Sequence, residues 1–402
     1  MQSRGWGVDS VSGRAMGGYI LYAMPASLYS AKARSYLRKR GIGHVERANG
    51  HPAYRERVVP ALGRVIIPVL ETPDGRLIQD TVDIIDFLER AEPREHSIYP
   101  AGPRQRAVSH VLELFGGEGL LRPAMHYRWN FDETNLAFLR QDFGGALAAG
   151  GDLQAGLAAF ERASRLMRRA TVGVGVTPEV TPEIERSYGE FLALFSAHLR
   201  HAPYLLGGLP CNGDFGFIAP LWAHLARDPY PSMLMKTTAW PVYRWAERMN
   251  SPNDDAGEYL DYCHEFFAGD EIPDTLRALL SYIAEEQLPE LVAQVAFTDE
   301  YLAGEDIAEG AIVGGEPARR AIGSVTFPWR GHRITTRVLP YRLILLQRLQ
   351  AAVTERRPDE QARIRQVFGE CNLERLLDLR PRRPVRRHSN HEIWGAEQEP
   401  SL

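Results

Sequence analysis

The sequence predicts a small α/β domain, then an all-α domain, then a mostly helical extension. Three observations carry that prediction. β-prone and helical runs alternate from residue 18 to 95. Strand signals then nearly vanish for roughly 150 residues while helical periodicity persists, and beyond Pro252 helical runs resume around one alternating stretch. The chain divides accordingly into 18–95, 104–252, 253–379 and a terminal segment, 380–402.

Tyr19 to Ala23 (YILYA) is a short β-prone run closed by Met24-Pro25. Ser27 to Lys39 reads as a helix, with a capping hydroxyl at Ser27 and Gly41 where a left-handed residue ends it. His44 to Arg47 supplies a second short strand, and His51 to Gly63 is irregular, with room for a short helix. Val65 to Glu71 and Leu77 to Gln79 flank Pro73-Asp74-Gly75, which is hairpin-turn chemistry. Asp80 then opens a helix in which Ile84, Ile85 and Leu88 share a face and Asp83 sits near the positive end. The order is β-α-β-α-β-β-α.

Helical patterning follows over 108–121, 131–147, 153–169, 182–200, 215–227 and 242–250, broken by Gly and Pro between Val172 and Thr181. In the extension, 274–293 and 341–354 predict helices. Ser324 to Val338 alternates around Arg330-Gly331 and predicts a hairpin that Pro328 confines to an edge. Five arginines between Arg380 and Arg387, interleaved with Pro381 and Pro384, predict a disordered, solvated tail.

The chain has 402 residues, 44% hydrophobic and 24% charged, with a net charge of −4. That balance is ordinary for a globular protein and lacks the basic excess that nucleic acid or membrane surfaces favour. No apolar run approaches the ~18 residues of a membrane span. Met1 to Gly18 carry no apolar signal core, so the expected location is cytoplasmic. Cys211, Cys263 and Cys371 are scattered and odd in number, which predicts neither a metal site nor a disulfide framework.

Three short elements could carry chemistry. Pro68 removes a ladder hydrogen bond from a strand-like run; a cis peptide at the strand's start is one reason for it, an ordinary edge position the other. Asp80 is either a bare helix cap or an acceptor for a cation, and Thr81 can offer a hydroxyl and an N–H to a carboxylate. Ser27 is either a cap or a hydroxyl donor at the positive end of a helix. Together Ser27-Leu28-Tyr29-Ser30, Ile67-Pro68-Val69-Leu70 and Gln79-Asp80-Thr81 resemble the thioredoxin-like N-terminal domain of the glutathione transferases. The spacing of Tyr22, Ser27 and Arg34 is similar to the zeta class. Pro203 to Gly208, followed by Asp214-Phe215, resembles the loop into that family's central helix, so the likeness spans roughly residues 18–252.

The resemblance implies a role for each residue. Ser27 would donate to the glutathione sulfur, with Tyr22 as the tyrosine-type alternative. Ile67, ahead of a cis Pro68, would pair with the cysteinyl backbone, Asp80 and Thr81 would hold the γ-glutamyl end, and Arg64 would meet the glycyl carboxylate. His126, in the cluster His126-Tyr127-Arg128-Trp129, would face the second substrate. Cys211 stands where the family keeps Ser or Thr, which makes Asn212 the expected helix cap. Serines in place of a Cys-x-x-Cys pair exclude thiol–disulfide exchange there. A thiol of pKa near 8.5 is mostly protonated at neutral pH, so a hydroxyl and a helix dipole would both favour its thiolate. The implied activity is that of a detoxifying transferase with glutathione as co-substrate, a small electrophile as second substrate and a homodimeric state. The alternatives are a non-catalytic glutathione-fold ligand-binding or interaction protein, or a glutathione-dependent isomerase.

Overall fold

The structure is a computed structural model that describes residues 18–260 and 262–399; the expectation drawn from the first residues of the chain falls almost wholly outside them. The N-terminal domain runs β1 (Tyr19–Tyr22), α1 (Leu28–Lys39), β2 (His44–Arg47), α2 (Val59–Leu62), β3 (Val69–Glu71), β4 (Leu77–Gln79) and α3 (Thr81–Ala91). The sheet order is β2-β1-β3-β4, with β1 parallel to β2 and antiparallel to β3. This is the thioredoxin-like fold that the resemblance implies, with the strand and helix order the sequence predicts. Successive strand residues face opposite sides. Leu21 and its register partner Leu70 therefore join Tyr36, Leu37, Ile85 and Leu88 under α1 and α3. Tyr22 and its partner Val69 instead join Tyr54, Val58 and Leu62 on the other face.

The helical domain comprises α4 (Pro103–Leu114), α5 (Leu121–Trp129), α6 (Asp132–Leu147), α7 (Leu153–Val172), α8 (Thr181–Leu199), α9 (Asn212–Pro220), α10 (Pro229–Thr238) and α11 (Trp240–Arg248). Helix α9 is wholly buried and meets the α4 segment backbone to backbone. A Cβ on Gly216 would lie 2.6 Å from the Glu113 Cα, and one on Gly116 would lie 2.4 Å from the Gly216 carbonyl carbon. The cap of α9 corrects the sequence reading: it is Cys211, not Asn212. The Asp214 carboxylate accepts from the Cys211 N–H (2.9 Å) and thiol (3.3 Å) and from Trp245 Nε1 (3.0 Å). A thiol has therefore replaced the usual hydroxyl without losing the reciprocal cap.

The extension holds α12 (Asp274–Gly304), β5 (Gly323–Trp329), β6 (His332–Val338), α13 (Tyr341–Thr354), α14 (Pro358–Glu370), β7 (Val385–His388) and β8 (His391–Trp394). The β5–β6 hairpin turns at Arg330-Gly331, both at positive φ, as the alternation predicts. Helix α13 packs on α4 and α12 on α8, so the extension shares one hydrophobic core with the preceding domains. The expected disordered tail is corrected: 385–388 and 391–394 form a hairpin, and Val385 and Trp394 are buried. Arg387 meets Asp80 and Asp83, and the Arg382 N–H meets Asp299, distant partners that composition does not reveal.

A buried ionic cluster ties the extension down. Arg342 on α13 donates to Glu118 (3.0 Å) and to Glu290 on α12, and Arg122 on α5 also donates to Glu290 (3.1 Å). All four side chains are at most 6% exposed.

Candidate functional site

Ser27 caps α1, its Oγ accepting from the Ser30 N–H at 3.3 Å. That bond uses a lone pair and leaves the hydroxyl proton for another acceptor. The Ile67–Pro68 peptide is cis, and Tyr54 Oη donates to the Ile66 carbonyl at 2.9 Å. Ser27 and Ile67 both line a cavity of about 530 Å³, whose remaining wall is mainly Met125, Trp129, Phe143 and Met167. Largely apolar side chains thus surround the Ser27 hydroxyl at a helix N-terminus, with Arg128 and Arg320 in the same wall. Asn49 adds a buried Oδ1 without a hydrogen-bond partner in the same wall. The arrangement suits an apolar molecule with one polar or anionic atom near Ser27.

The floor is set by Arg128 on α5, which the sequence reading passed over. It pairs with Asp228 through two bonds (2.7 and 2.9 Å) and donates to the Ala26 and Ala223 carbonyls at 2.6 Å each. The Ala26 carbonyl immediately precedes Ser27, so Arg128 fixes the start of α1. His224 also lines the cavity; burial, then Arg128, pushes its imidazole well below the usual range, so it is neutral.

Two expected site residues lie elsewhere. Tyr22 points to the sheet face away from Leu21, where its hydroxyl donates to Glu71 Oε2 at 2.9 Å; it does not line the cavity. Burial, then the Glu71 bond, raises its phenol, which makes it a poor proton source for a thiolate. His126 is also displaced: it bonds Glu185 (2.9 Å) and Asn130 (2.8 Å) and faces a different cleft, because on α5 it is its neighbours Met125 and Trp129 that face the cavity beside Ser27.

The other half of the expected site is filled by the chain itself. Asp80 caps α3 at φ +86°, accepting from the Val82 N–H at 3.0 Å. Its carboxylate also accepts from Tyr341 Oη (3.1 Å) and pairs with Arg387 Nη2 (3.0 Å). Thr81 is 1% exposed. The Gln79 N–H donates to Asn390 Oδ1 at 2.9 Å. Arg64, expected to be free for a glycyl carboxylate, donates to Glu392 (2.9 Å), Gln79 Oε1 (2.8 Å) and the Asn390 carbonyl (2.8 Å). The β7–β8 hairpin thus lies where the resemblance places the γ-glutamyl end of glutathione, with a guanidinium on the carboxylate meant for its ammonium.

Glu392 gives this contact a pH signature. Burial alone would raise its carboxyl, but Arg320, Arg387 and Arg64 outweigh that and hold it at about 2 against an ordinary 4.5. A depressed folded-state pKa stabilises the fold above the ordinary value and ceases to do so as pH falls from 4.5 towards 2. Urea midpoints should therefore fall between those pH values, and fall less in Glu392→Gln; equal falls in the two proteins would refute the assignment.

Tyr341, Arg387 and Arg320 (the last on the cavity wall) are site residues that sequence reasoning missed. The arginine run read as a solvated tail, because its carboxylate partner Asp80 lies about 300 residues away in sequence. Among the described residues no group of His, Cys, Asp and Glu could hold a metal ion, and no helix is long and apolar enough to cross a membrane.

Residues 21–96 match the family profile described as "Glutathione S-transferase, N-terminal domain". No curated protein matches the chain in sequence. Similar solved structures include the beta-etherase LigF from Sphingobium sp. strain SYK-6, at 17% identity and TM-score 0.40 over 60% of this chain and 97% of that one. A glutathione S-transferase from Rhodospirillum rubrum F11 is 15% identical at TM-score 0.38, over 65% and 99%. Glutaredoxin 2 from Salmonella typhimurium, in complex with glutathione, is 15% identical at TM-score 0.38, over 60% and 98%.

Proposed function

Residues 21–96 being a glutathione S-transferase N-terminal domain, we propose that this chain uses the fold to bind an apolar small molecule rather than to activate glutathione in the family's way. One observation carries the reading: the Asp80 carboxylate is taken by Arg387 and Tyr341 of the chain's own extension. An ammonium brought to that carboxylate would meet the Arg387 guanidinium at close range, a like-charge contact in a largely buried site. The cavity beside Ser27, with about 530 Å³ and largely apolar walls, is large enough for a drug-sized ligand.

The test is titration with an environment-sensitive apolar dye, anilinonaphthalene sulfonate, beside calorimetric titration with glutathione. Wild type should bind the dye and give no glutathione heat at millimolar concentration. Ala163→Trp, on α7 and lining the cavity, should reduce dye affinity about tenfold. Equal dye binding in that variant, or micromolar glutathione binding by wild type, would overturn the reading.

A second reading, a serine-type transferase in which the hairpin withdraws, is favoured by Ser27 and Ile67 sharing one cavity beside a cis Pro68. It predicts that Ser27→Ala raises the pKa of bound glutathione by one to two units, since a bond to a charged group contributes about 1.5–3 kcal/mol. Ultraviolet difference spectra of the thiolate read that shift, and Tyr22→Phe should leave it unchanged.

A further inference from the structure

A second cavity, about 570 Å³, opens between α3, the loop after it, α4 and α13. Its two inner carboxylates are already spent. Asp86 takes both Nη atoms of Arg348 (2.6 and 3.0 Å) and the Tyr99 hydroxyl. Glu89 accepts from Tyr36 (2.6 Å) and Ser97 (2.7 Å) and pairs with Arg40 (3.2 Å). Against them stand Arg90, Arg106 and Arg356, none of which forms a direct ion pair among the described residues.

Arg106 lies over the Tyr99 ring, 4.6 Å from its centroid, while the same ring stacks on His110 at 6.0 Å. Arg106 is therefore held in place without being neutralised. Burial lowers its guanidinium from the ordinary value, with Tyr99 and Asp86 opposing and Arg356 and Arg348 adding to the shift. Glu355, at the rim, is the wall's remaining carboxylate without a partner of its own.

We propose that this cavity binds a small molecule carrying two or more oxyanion groups, phosphate or carboxylate, with Arg106 and Arg356 as its principal contacts and Arg90 at the mouth. Planar guanidinium forks suit oxygen pairs on such groups, and several held in one concave site favour a multiply charged ligand over a single anion. The cavity is bounded by both the N-terminal domain and the extension, so an occupant would clamp α13 against α3 and α4. The proposal does not rest on the cavity beside Ser27.

The test is isothermal titration of the full chain with pyrophosphate and with citrate, at roughly 50 mM salt so that screening stays modest. Either probe should bind and raise the melting temperature. Arg106→Gln and Arg356→Gln should each weaken binding about tenfold, while Glu355→Gln should strengthen it by removing a competing charge. Pyrophosphate binding more tightly assigns a phosphorylated ligand; citrate binding more tightly assigns a polycarboxylate. Circular dichroism checks that each variant folds, and Arg356→Gln, next to exposed Glu355, is the one least coupled to the core. No binding of either probe by wild type, or unchanged binding in a folded Arg356→Gln variant together with no gain in Glu355→Gln, would overturn the proposal.

Discussion

Arg342→Met should lower the folding stability of the full chain by about 3–5 kcal/mol, read as a fall in urea midpoint. Arg342 holds Glu118 and Glu290 at once, and neither carboxylate has water to turn to. Burial by itself pushes the Glu290 carboxyl up; Arg342 and Arg122 outweigh it and hold Glu290 below its ordinary value. Removing Arg342 leaves Glu118 with only the Tyr29 hydroxyl (3.0 Å) and Glu290 with Arg122 and Gln294. The comparison that isolates charge from packing is the double variant Arg342→Met, Glu118→Gln, which keeps the Glu290–Arg122 pair. It should regain a large part of the loss, because the penalty arises from the uncompensated Glu118 carboxylate rather than lost volume. A double variant no better than the single one would assign the cost to packing.

The full chain carrying Arg387→Ala and Asn390→Ala should bind glutathione at least tenfold more tightly than wild type. Arg387 contacts Asp80 (3.0 Å), Asp83 (3.4 Å) and Glu392 (3.0 Å), and Asn390 holds both Gln79 N–H and the Leu77 carbonyl. A ligand that needs Asp80 must displace these contacts, so its apparent affinity is reduced by the fraction of molecules in which the hairpin stays seated. Charge-assisted bonds contribute about 1.5–3 kcal/mol each, so losing even one corresponds to a tenfold to hundredfold change. Exposed Arg386, on the same strand, is the control: Arg386→Ala should leave glutathione binding as in wild type. If the double variant gains nothing, something other than the hairpin keeps glutathione away.

The N-terminal domain was legible in the sequence because its signals are local. The Pro-Asp-Gly turn, the Ser27 and Asp80 caps and the proline ahead of Val69 each act within a few residues, and all reappear in place. Strand facing was less legible. Tyr22 lies on the expected strand, yet its side follows from which of Leu21 and Tyr22 packs under α1, a tertiary fact. Helices α5, α10 and α14 escaped notice because proline or glycine near their starts and polar faces blur the period. The tail was misread for a sharper reason: arginine-rich composition signals solvation only when no carboxylate waits for it, and Asp80 and Glu392 do. His126 was favoured over its neighbour Arg128 because imidazole chemistry is conspicuous, whereas a guanidinium that fixes a loop leaves no motif.

The contact between Tyr341 and Asp80 joins positions 261 residues apart. Synthesis proceeds at about 5–20 residues per second, so roughly 10–50 s separate the appearance of the acidic helix start from that of the phenol, and longer from that of Arg387. During that interval the N-terminal domain can fold while still on the ribosome, its acceptor groups facing solvent. The nascent chain thus passes through a stage in which Asp80 has been made but neither Tyr341 nor Arg387 is yet there to cover it.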